Sequence, residues 1–197
     1  MAPVVVDPSR IKEFATEKAF ETWLSKHHAK DTELWIRIYK KGSGVRSVTP
    51  AEAIDVVLCW GWIDGQRKGY DELSFLQRYS PRRDKSIWSD INRNNVARLI
   101  EAKRMTPQGM HHVEAAKANG RWDAAYKGSR TIEVPEDLLR AIEADKKALA
   151  TFAKLDKPNR FALAFRLGNL RTAAGREKKI AAYVQMLRRG ETLHPMK

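Results

Sequence analysis

The sequence has little cysteine and no long hydrophobic run, and both absences narrow the classes of protein to which it can belong. Its single cysteine, Cys59, cannot form an internal disulfide bond, which is typical of proteins from a reducing compartment. The sequence contains no CxxC and no paired Cys/His spacing, so no metal site is predicted. No apolar run reaches the roughly 18 residues of a transmembrane helix, so no membrane-spanning segment is predicted either.

The N-terminal stretch MAPVVVDPSR lacks the features of an export signal. No basic residue precedes its apolar part, and Asp7 and Pro8 interrupt that part at once. We therefore expect a cytoplasmic protein.

Acidic residues are scarce relative to basic ones. The chain has 24 Asp and Glu against 37 Lys and Arg, a formal net charge of +13. The excess is steepest between Lys157 and Arg189, where nine basic residues are opposed only by Glu177. This charge favours a polyanionic partner. The 43% share of apolar residues is typical of a folded globular protein.

Residues 1–120 are predicted to form an α+β domain. Thr16 can cap a helix whose apolar positions fall on one face: Phe20, Trp23, Leu24 and His27. Residues 33–40 alternate as a strand does, with Leu34, Ile36 and Ile38 on the core side. Residues 49–52, Thr-Pro-Ala-Glu, have the pattern of a capped helix start.

Two more strands are predicted, from Trp62 to Tyr70 and from Leu73 to Ser80, with a turn at Gly69 to Glu72. A turn at Asp64-Gly65 is the alternative register. The predicted fold class is therefore α+β: a small antiparallel sheet of about three strands covered by helices, followed by a C-terminal helical module.

After Pro81 the patterns are helical. Ser89 and Thr106-Pro107 mark two helix starts, and the second helix is expected to stop at Asn119-Gly120. Residues 121–134 are predicted to be a linker. Residues 135–197 are predicted to be a helical module with helices at 136–155, 158–170 and 172–190, and with a frayed tail.

The best candidate site lies where tryptophan and arginine are concentrated, in the middle of the chain. Guanidinium groups bind carboxylates and phosphates in bidentate fashion, and indole faces stack rings or cations. The predicted ligand-binding residues are Trp62, Asp64, Arg67, Arg78, Arg82, Arg83 and Trp88. A purely structural interpretation stands beside this one, because buried tryptophans and surface ion pairs use the same residue types.

Other candidate residues have ordinary explanations. Cys59 lies in the apolar stretch VVLCW and is expected to be a buried, inert thiol. The adjacent pairs His27-His28 and His111-His112 diverge on a helix and are poorly placed to share one metal ion. Gly42-Ser43-Gly44 lacks the rest of a phosphate loop and is expected to be a hairpin tip.

The C-terminal helices offer a second candidate surface, one that could contact phosphate backbones. Nothing there has the pattern of a base-reading recognition helix, so any binding to nucleic acid would be non-specific. The residues predicted for this alternative are Arg171, Arg176, Lys178, Lys179, Arg188 and Arg189.

Two stretches of the centre, CWGWIDGQRKGYD and QRYSPRRDKSIWSDINRNNVARLIEAKRMTPQG, resemble the bacteriocin-protection or YdeI/OmpD-associated proteins. The ending KKIAAYVQML is similar to the helical C-terminal module of that family. The resemblance covers roughly residues 10–190. It implies a link to protection against antimicrobial peptides and to an outer-membrane porin, and it implies no established reaction.

Together these observations favour a non-enzymatic stress-protection protein that binds a small anionic or aromatic ligand, or a protein segment, and needs no cofactor. Nucleic-acid binding is the alternative. An enzyme with Asp64 as its base is a third interpretation, which lacks a second titratable partner at a defined spacing.

Overall fold

The computed structural model of the chain describes residues 5–128, 132–170 and 172–196. Within these residues the chain forms eight α-helices and one four-stranded sheet, which is the predicted α+β class. The chain divides into two compact units, Met1–Ala125 and Tyr126–Lys197. The sheet belongs to the first unit, and the second unit is helical.

The sheet has the strand order β1-β2-β4-β3. Its strands are β1 (Ile11–Lys12), β2 (Leu34–Tyr39), β3 (Trp62–Gly69) and β4 (Ser74–Pro81). β4 pairs antiparallel with both β2 and β3, whereas β1 pairs parallel with β2. The prediction of about three strands lacked β1, because a strand of two residues is too short to produce an alternating pattern.

The β3–β4 hairpin turns between Gly69 and Ser74, so the first of the two predicted registers is confirmed. Asp64-Gly65 is not a turn. Instead, the register shifts between Asp64 and Arg67, as it does at a β-bulge. A bulge bends a strand and redirects its side chains, so this irregularity decides where Asp64 and Arg67 lie.

Four helices complete the first unit, and each begins at a predicted cap. Their caps are Thr16, Thr49, Ser89 and Thr106, whose hydroxyl oxygens accept hydrogen bonds from backbone amides in the first turn. Glu52 also closes the predicted capping box with Thr49. The helices are α1 (Glu17–His27), α2 (Pro50–Cys59), α3 (Asp90–Glu101) and α4 (Pro107–Ala118).

The core of the first unit has two parts. One face of the sheet packs on α1 and α2, where Ile36 contacts a cluster that includes Phe20 and Val57. The other part lies among α2, α3 and α4 and contains Cys59 and Trp88. Since α2 contributes to both clusters, it is the element that joins the sheet to the following helices.

Gly109 permits a close approach of α4 to the end of α2. A methyl group at this position would lie 2.7 Å from the carbonyl oxygen of Leu58 and nearer still to that of Cys59. Thr106 secures the same junction, because its hydroxyl donates to the Cys59 carbonyl at 2.6 Å. The Thr-Pro-Gln-Gly stretch therefore docks one helix onto another.

The second unit contains four helices: α5 (Glu136–Glu143), α6 (Lys146–Ala153), α7 (Lys157–Gly168) and α8 (Ala173–Arg188). The prediction of one helix over 136–155 is wrong, because Asp145 interrupts it. The Asp145 carboxylate accepts hydrogen bonds from the backbone amides of Lys147 and Ala148, both at 3.0 Å, and so starts a new helix.

The C-terminal tail is also held more firmly than predicted. The side-chain amide of Asn159, which is buried, donates to the His194 carbonyl at 3.1 Å and accepts from the His194 amide at 2.9 Å. A pair of hydrogen bonds to one backbone residue fixes the chain direction at that point. The predicted fraying therefore does not apply around His194.

Candidate functional site

Both tryptophans of the predicted site are interior residues. Trp62 is 1% exposed, and its indole nitrogen donates to the His28 carbonyl at 3.2 Å. Trp88 is 2% exposed and packs between α2 and α3, with the Trp122 ring edge-on at 4.9 Å. Neither ring presents a face to solvent on which a ligand could stack.

The structure does bring Arg82 and Trp88 together. Arg82 is 5% exposed, and its guanidinium carbon lies 3.5 Å from the centre of the Trp88 ring. One guanidinium nitrogen donates to the Ile87 carbonyl, and the backbone amide donates to Gly61. A buried cation–π contact is worth about 2 kcal/mol, so the pair contributes to the stability of the first unit.

Asp64 and Arg67 lie on the neighbouring strand, opposite Tyr79 and Gln77 in the register. Arg67 donates to the Gln77 side-chain oxygen at 3.0 Å and lies over the Phe75 ring at 4.3 Å. Asp64 is exposed overall, yet loss of hydration around its carboxyl group raises its pKa. The positive charges of Arg82 and Arg67 oppose that shift.

The other two arginines lie apart from this group. Arg78 follows Gln77 on β4 and so points to the opposite face of the sheet, where it donates to the Glu33 carboxylate at 2.6 Å. Arg83 is exposed on the loop after β4, where its backbone amide donates to the Ser86 hydroxyl. The seven predicted residues are thus divided among the interior, two faces of the sheet and an exposed loop.

A cleft of about 400 Å³ lies elsewhere in the first unit, between the segment leading into β1 and the end of α1. The rings of Trp23 and His27 form part of its wall, stacked at 4.3 Å with an angle of 5° between their planes. In the sequence, Trp23 was recognised only as a member of a helix face, and His27 as a member of that face and of an adjacent histidine pair. The full lining is Ser9, Arg10, Lys12, Trp23, His27, Lys30, Asp31, Thr32, Glu33 and Leu34.

The carboxylates of this cleft already have partners. Asp31 lies 3.1 Å from the His27 ring nitrogen Nδ1. Glu33 accepts hydrogen bonds from Arg78 and from the Trp35 indole nitrogen, and it lies 4.0 Å from Arg10.

The lysines of the cleft, unlike its carboxylates, have no ion-pair partner among the described residues. Lys12 lies 5.6 Å from the Trp23 ring, and Lys30 is exposed. Neither forms an ion pair with a carboxylate of the described residues. The cleft therefore has an aromatic wall and an excess of positive charge that a ligand could neutralise.

Comparison with known families gives two matches. Residues 12–112, just over half of the chain, match a domain of unknown function, DUF8412. The chain belongs to the DUF8412 family. Residues 131–190 match a second family, described as Bacteriocin-protection, YdeI or OmpD-Associated. No curated protein and no solved structure matches the chain.

The second match confirms the YdeI/OmpD-associated resemblance for residues 131–190, in the second unit. The two central stretches on which that resemblance was also based match DUF8412 instead, so its expected extent over residues 10–190 is corrected. The Trp/Arg-rich centre and most of the lining of the cleft fall within the DUF8412 match. Among the described helices, none combines the length and apolarity that crossing a membrane requires.

The YdeI/OmpD-associated domain contains the six basic residues predicted to contact nucleic acid. Three of them are in ion pairs: Arg176 with Asp137 at 2.6 Å, Arg188 with Asp145 at 3.6 Å, and Arg189 with Glu191 at 2.8 Å. Arg171 lies outside the described residues. Of the five described members, Lys178 and Lys179 are the two that form no ion pair with a described carboxylate, so their charge is available.

The cysteine and the histidines that the sequence analysis considered lie within the DUF8412 match, and the structure gives them no unusual environment. Cys59 is fully buried, and this burial raises the pKa of its thiol to about 11. Burial also lowers the pKa of His112, which lies against the His111 ring. No group of three potential metal ligands occurs in the described part of the chain.

A second cleft, of about 540 Å³, follows the loop between β2 and α2. Gly42 and Gly44 have φ values of +89° and +75°, so the chain turns tightly here. The loop joins a strand to a helix, so the predicted hairpin tip is wrong. Tyr39 is the only aromatic residue in its lining. This cleft offers less stacking surface than the one beside Trp23.

Proposed function

We propose that this protein is a non-enzymatic binding protein with a role in stress or bacteriocin protection, and that it binds a small anionic aromatic ligand. The observation that supports this function best is the cleft beside Trp23 and His27. It combines a stacked aromatic wall with two lysines that lack carboxylate partners among the described residues.

The chemistry of the lining favours a negative ligand. The charge of Glu33 is balanced by Arg78 and Arg10, which leaves Asp31 as a single carboxylate against the two lysines. The ammonium groups of the two lysines are point charges suited to a carboxylate or phosphate. The aromatic wall adds stacking and apolar burial for a planar ring.

The proposed protection is indirect. Antimicrobial peptides are commonly cationic, and a chain with a formal net charge of +13 repels them in bulk. Binding a small anionic molecule would instead link the protein to a cellular response. The cytoplasmic location on which this idea depends stays a prediction.

The central constellation also stays a prediction as a ligand site. Trp62 and Trp88 are buried, so a ligand there would contact mainly Asp64 and Arg67 on the exposed part of β3. The two sites differ in accessible aromatic surface, and variants in each can be compared directly.

The test is a calorimetric and thermal-shift screen with benzoate-type acids, aryl phosphates and nucleotides, each paired with a non-aromatic anion of equal charge. We expect aromatic anions to bind more tightly than their partners. Lys12→Ala combined with Lys30→Ala should weaken binding about tenfold or more, since two charge contacts are lost. Lys26→Ala is the matched control, because Lys26 is an exposed lysine on α1 that does not line the cleft.

Two outcomes would contradict the cleft as the site. One is equal binding by the double variant and the Lys26→Ala control. The other is a loss of binding in Arg67→Ala alone, which would favour the central constellation. A DNA gel shift without any small-ligand binding would favour the nucleic-acid alternative, for which Lys178 and Lys179 are the described residues without an ion-pair partner.

A further inference from the structure

The second cleft of the first unit, along the loop between β2 and α2, differs from the cleft beside Trp23 in its charge. None of its twelve described lining residues is acidic, and three are basic: Lys40, Lys41 and Arg46. The cleft beside Trp23 has two carboxylates in its lining. The second cleft therefore favours an anion by charge alone.

The charges of Lys41 and Arg46 are not balanced within the described protein. Both residues are exposed, and neither forms an ion pair with a carboxylate of the described residues. Glu52, at the start of α2, accepts hydrogen bonds from the amide and the hydroxyl group of Thr49 at 2.8 and 2.9 Å. This carboxylate is therefore engaged in the helix cap, and the two cations are available to a ligand.

Lys40 supplies a third positive charge in a fixed position. Its ammonium group donates to the backbone carbonyl of Glu72 at 2.8 Å and lies 3.5 Å from that of Asp71. Carbonyl oxygens are neutral, so they hold the ammonium group without cancelling its charge. A cation that is already held loses less side-chain freedom when a ligand binds.

Backbone amides of the loop add further donors to the same cleft. Gly42 and Gly44 have left-handed backbone conformations, and their amides donate to no acceptor among the described residues. A methyl group added to either glycine would meet nothing within 4 Å, so both positions border open space. Amides of successive residues in such turns commonly form concavities that bind phosphate oxygens.

We propose that this cleft binds a ligand with two or more neighbouring phosphate groups. A single phosphate group is small for a space of about 540 Å³ with three cations, whereas a diphosphate can contact Lys41, Arg46 and the loop amides together. The Arg46 guanidinium group supplies paired hydrogen bonds to one phosphate group, and the lysines supply point charges.

The cleft has little with which to recognise a nucleobase. Of its twelve described lining residues only Tyr39 is aromatic, and the guanidinium carbon of Arg37 lies 4.7 Å from the centre of that ring. The Tyr39 hydroxyl group donates to Glu13 at 3.2 Å. Because this ring already contacts the sheet, the cleft recognises the phosphate groups alone, whether they belong to inorganic pyrophosphate or to a nucleoside diphosphate.

The experiment uses the full chain and measures binding by calorimetry. The probes are inorganic pyrophosphate, adenosine diphosphate and a single-stranded oligonucleotide. Lys41→Ala and Arg46→Ala each remove one charge, and Gly44→Ala disfavours the loop conformation without changing the charge. Lys26→Ala is the matched control, since Lys26 is an exposed lysine of α1 that lines neither cleft.

We expect Lys41→Ala and Arg46→Ala each to weaken pyrophosphate binding about tenfold, and Lys26→Ala to change it less than about twofold. Gly44→Ala should weaken it about threefold or more, because alanine disfavours a φ of +75°. Adenosine diphosphate should bind no more than about threefold more tightly than pyrophosphate, since the base finds no free ring. The melting temperatures of the two charge variants should equal that of the parent protein, which verifies that they fold.

Three results would overturn the proposal. The first is an absence of pyrophosphate binding at millimolar concentration; oligonucleotide binding that the cleft variants weaken would then assign the loop to a nucleic-acid backbone. The second is an equal loss of pyrophosphate affinity in Lys26→Ala and the two charge variants, which would indicate bulk charge rather than a site. The third is a preference of about tenfold or more for adenosine diphosphate, which would contradict recognition through phosphate alone.

The two clefts can be tested separately because they share no lining residue. The combined Lys12→Ala and Lys30→Ala variant should leave pyrophosphate binding unchanged. Lys41→Ala and Arg46→Ala should in turn leave the binding of benzoate-type acids unchanged, so failure of one site does not decide the other.

Discussion

The Trp/Arg-rich centre of the chain and the cleft beside Trp23 use similar residue types in opposite ways. In the centre, Trp62 and Trp88 are buried and Arg82 lies against an indole ring inside the protein. In the cleft, Trp23 and His27 remain accessible, and the neighbouring lysines have no carboxylate partners in the described residues. The region with the most tryptophan and arginine in the sequence is therefore less accessible to a ligand than the cleft beside Trp23.

The two regions differ in accessibility because their side chains differ in size and in hydration. A large aromatic ring stabilises a fold most when it is fully buried, and a guanidinium group can stack on it at little cost in hydration. A lysine ammonium group is strongly hydrated and stays at the surface. Arginine beside tryptophan consequently favours internal structure, whereas lysine beside a half-buried aromatic favours a site that is open to solvent.

The sharpest test of this comparison is to remove one tryptophan from each region. Trp88→Ala should lower the free energy of unfolding by about 4 kcal/mol, because it leaves a large cavity and strips Arg82 of its stacking partner. Trp23→Ala should lower it by only about 1–2 kcal/mol, since Trp23 is partly exposed. Urea unfolding measures both values.

Ligand binding provides the other half of this test. Trp23→Ala should abolish binding of aromatic anions under conditions in which the variant is folded. Equal free energies of unfolding for Trp88→Ala and Trp23→Ala would contradict the proposed difference between the two regions, because Trp88 would then not be a structural residue.

The second prediction concerns the Thr-Pro-Gln-Gly stretch at the end of the central motif. Gly109→Ala should cost about 3 kcal/mol, because the added methyl group meets backbone carbonyl oxygens of α2 that cannot rotate away. Gly69→Ala is the control within the same unit, since nothing lies within 4 Å of its added methyl group. Its effect should stay within about 0.5 kcal/mol. Equal effects in urea unfolding would show that α4 does not dock closely on α2.

Much of the fold could be predicted from the sequence, because its signals are local. Thr49 with Pro50 and Glu52 specifies a helix start through hydrogen bonds between residues three apart. Ser89 and Thr106 act in the same way. The β3–β4 hairpin follows from the polar, glycine-containing turn at Gly69 to Glu72 between two segments of strand length.

The features that could not be predicted depend on contacts between distant residues. β1 exists only because β2 offers it a partner, and two residues contain no period of their own. In the sequence, Asp145 cannot be distinguished from an acidic residue inside a helix. In the structure its carboxylate accepts hydrogen bonds from two backbone amides, and this separates α5 from α6.

The candidate sites are non-local in the same sense. The cleft joins residues 9–12 to the end of α1 and the loop that follows it, so no single stretch contains its pattern. In the centre, adjacent positions on β4 point to opposite faces of the sheet, and this separates Arg78 from Arg67.

The smallest expected effect concerns the charge of Asp64 in the central region. The raised pKa of Asp64 means that its charged form is less favourable in the folded than in the unfolded chain. The contribution of Asp64 to the free energy of unfolding therefore falls as the pH rises from 3.8, the ordinary pKa of the group, through the raised pKa of the folded protein. Asp64→Asn should increase the free energy of unfolding at pH 7 by less than about 1 kcal/mol, since the residue as a whole is exposed and the charges of Arg82 and Arg67 oppose the cost of dehydrating its carboxyl group.

The gain from Asp64→Asn should vanish below about pH 4, where the parent carboxyl group is also neutral. Asp71→Asn is the control of opposite sign, because a hydrogen bond from Ser74 lowers the pKa of Asp71. Its destabilising effect should be present at neutral pH and shrink as the pH falls. If Asp64→Asn stabilises the protein and changes the affinity for anionic ligands more than Asp71→Asn does, Asp64 lies close to the ligand, and the central constellation functions as a site. If binding is unchanged, the centre is structural and the accessible cleft is where the ligand binds.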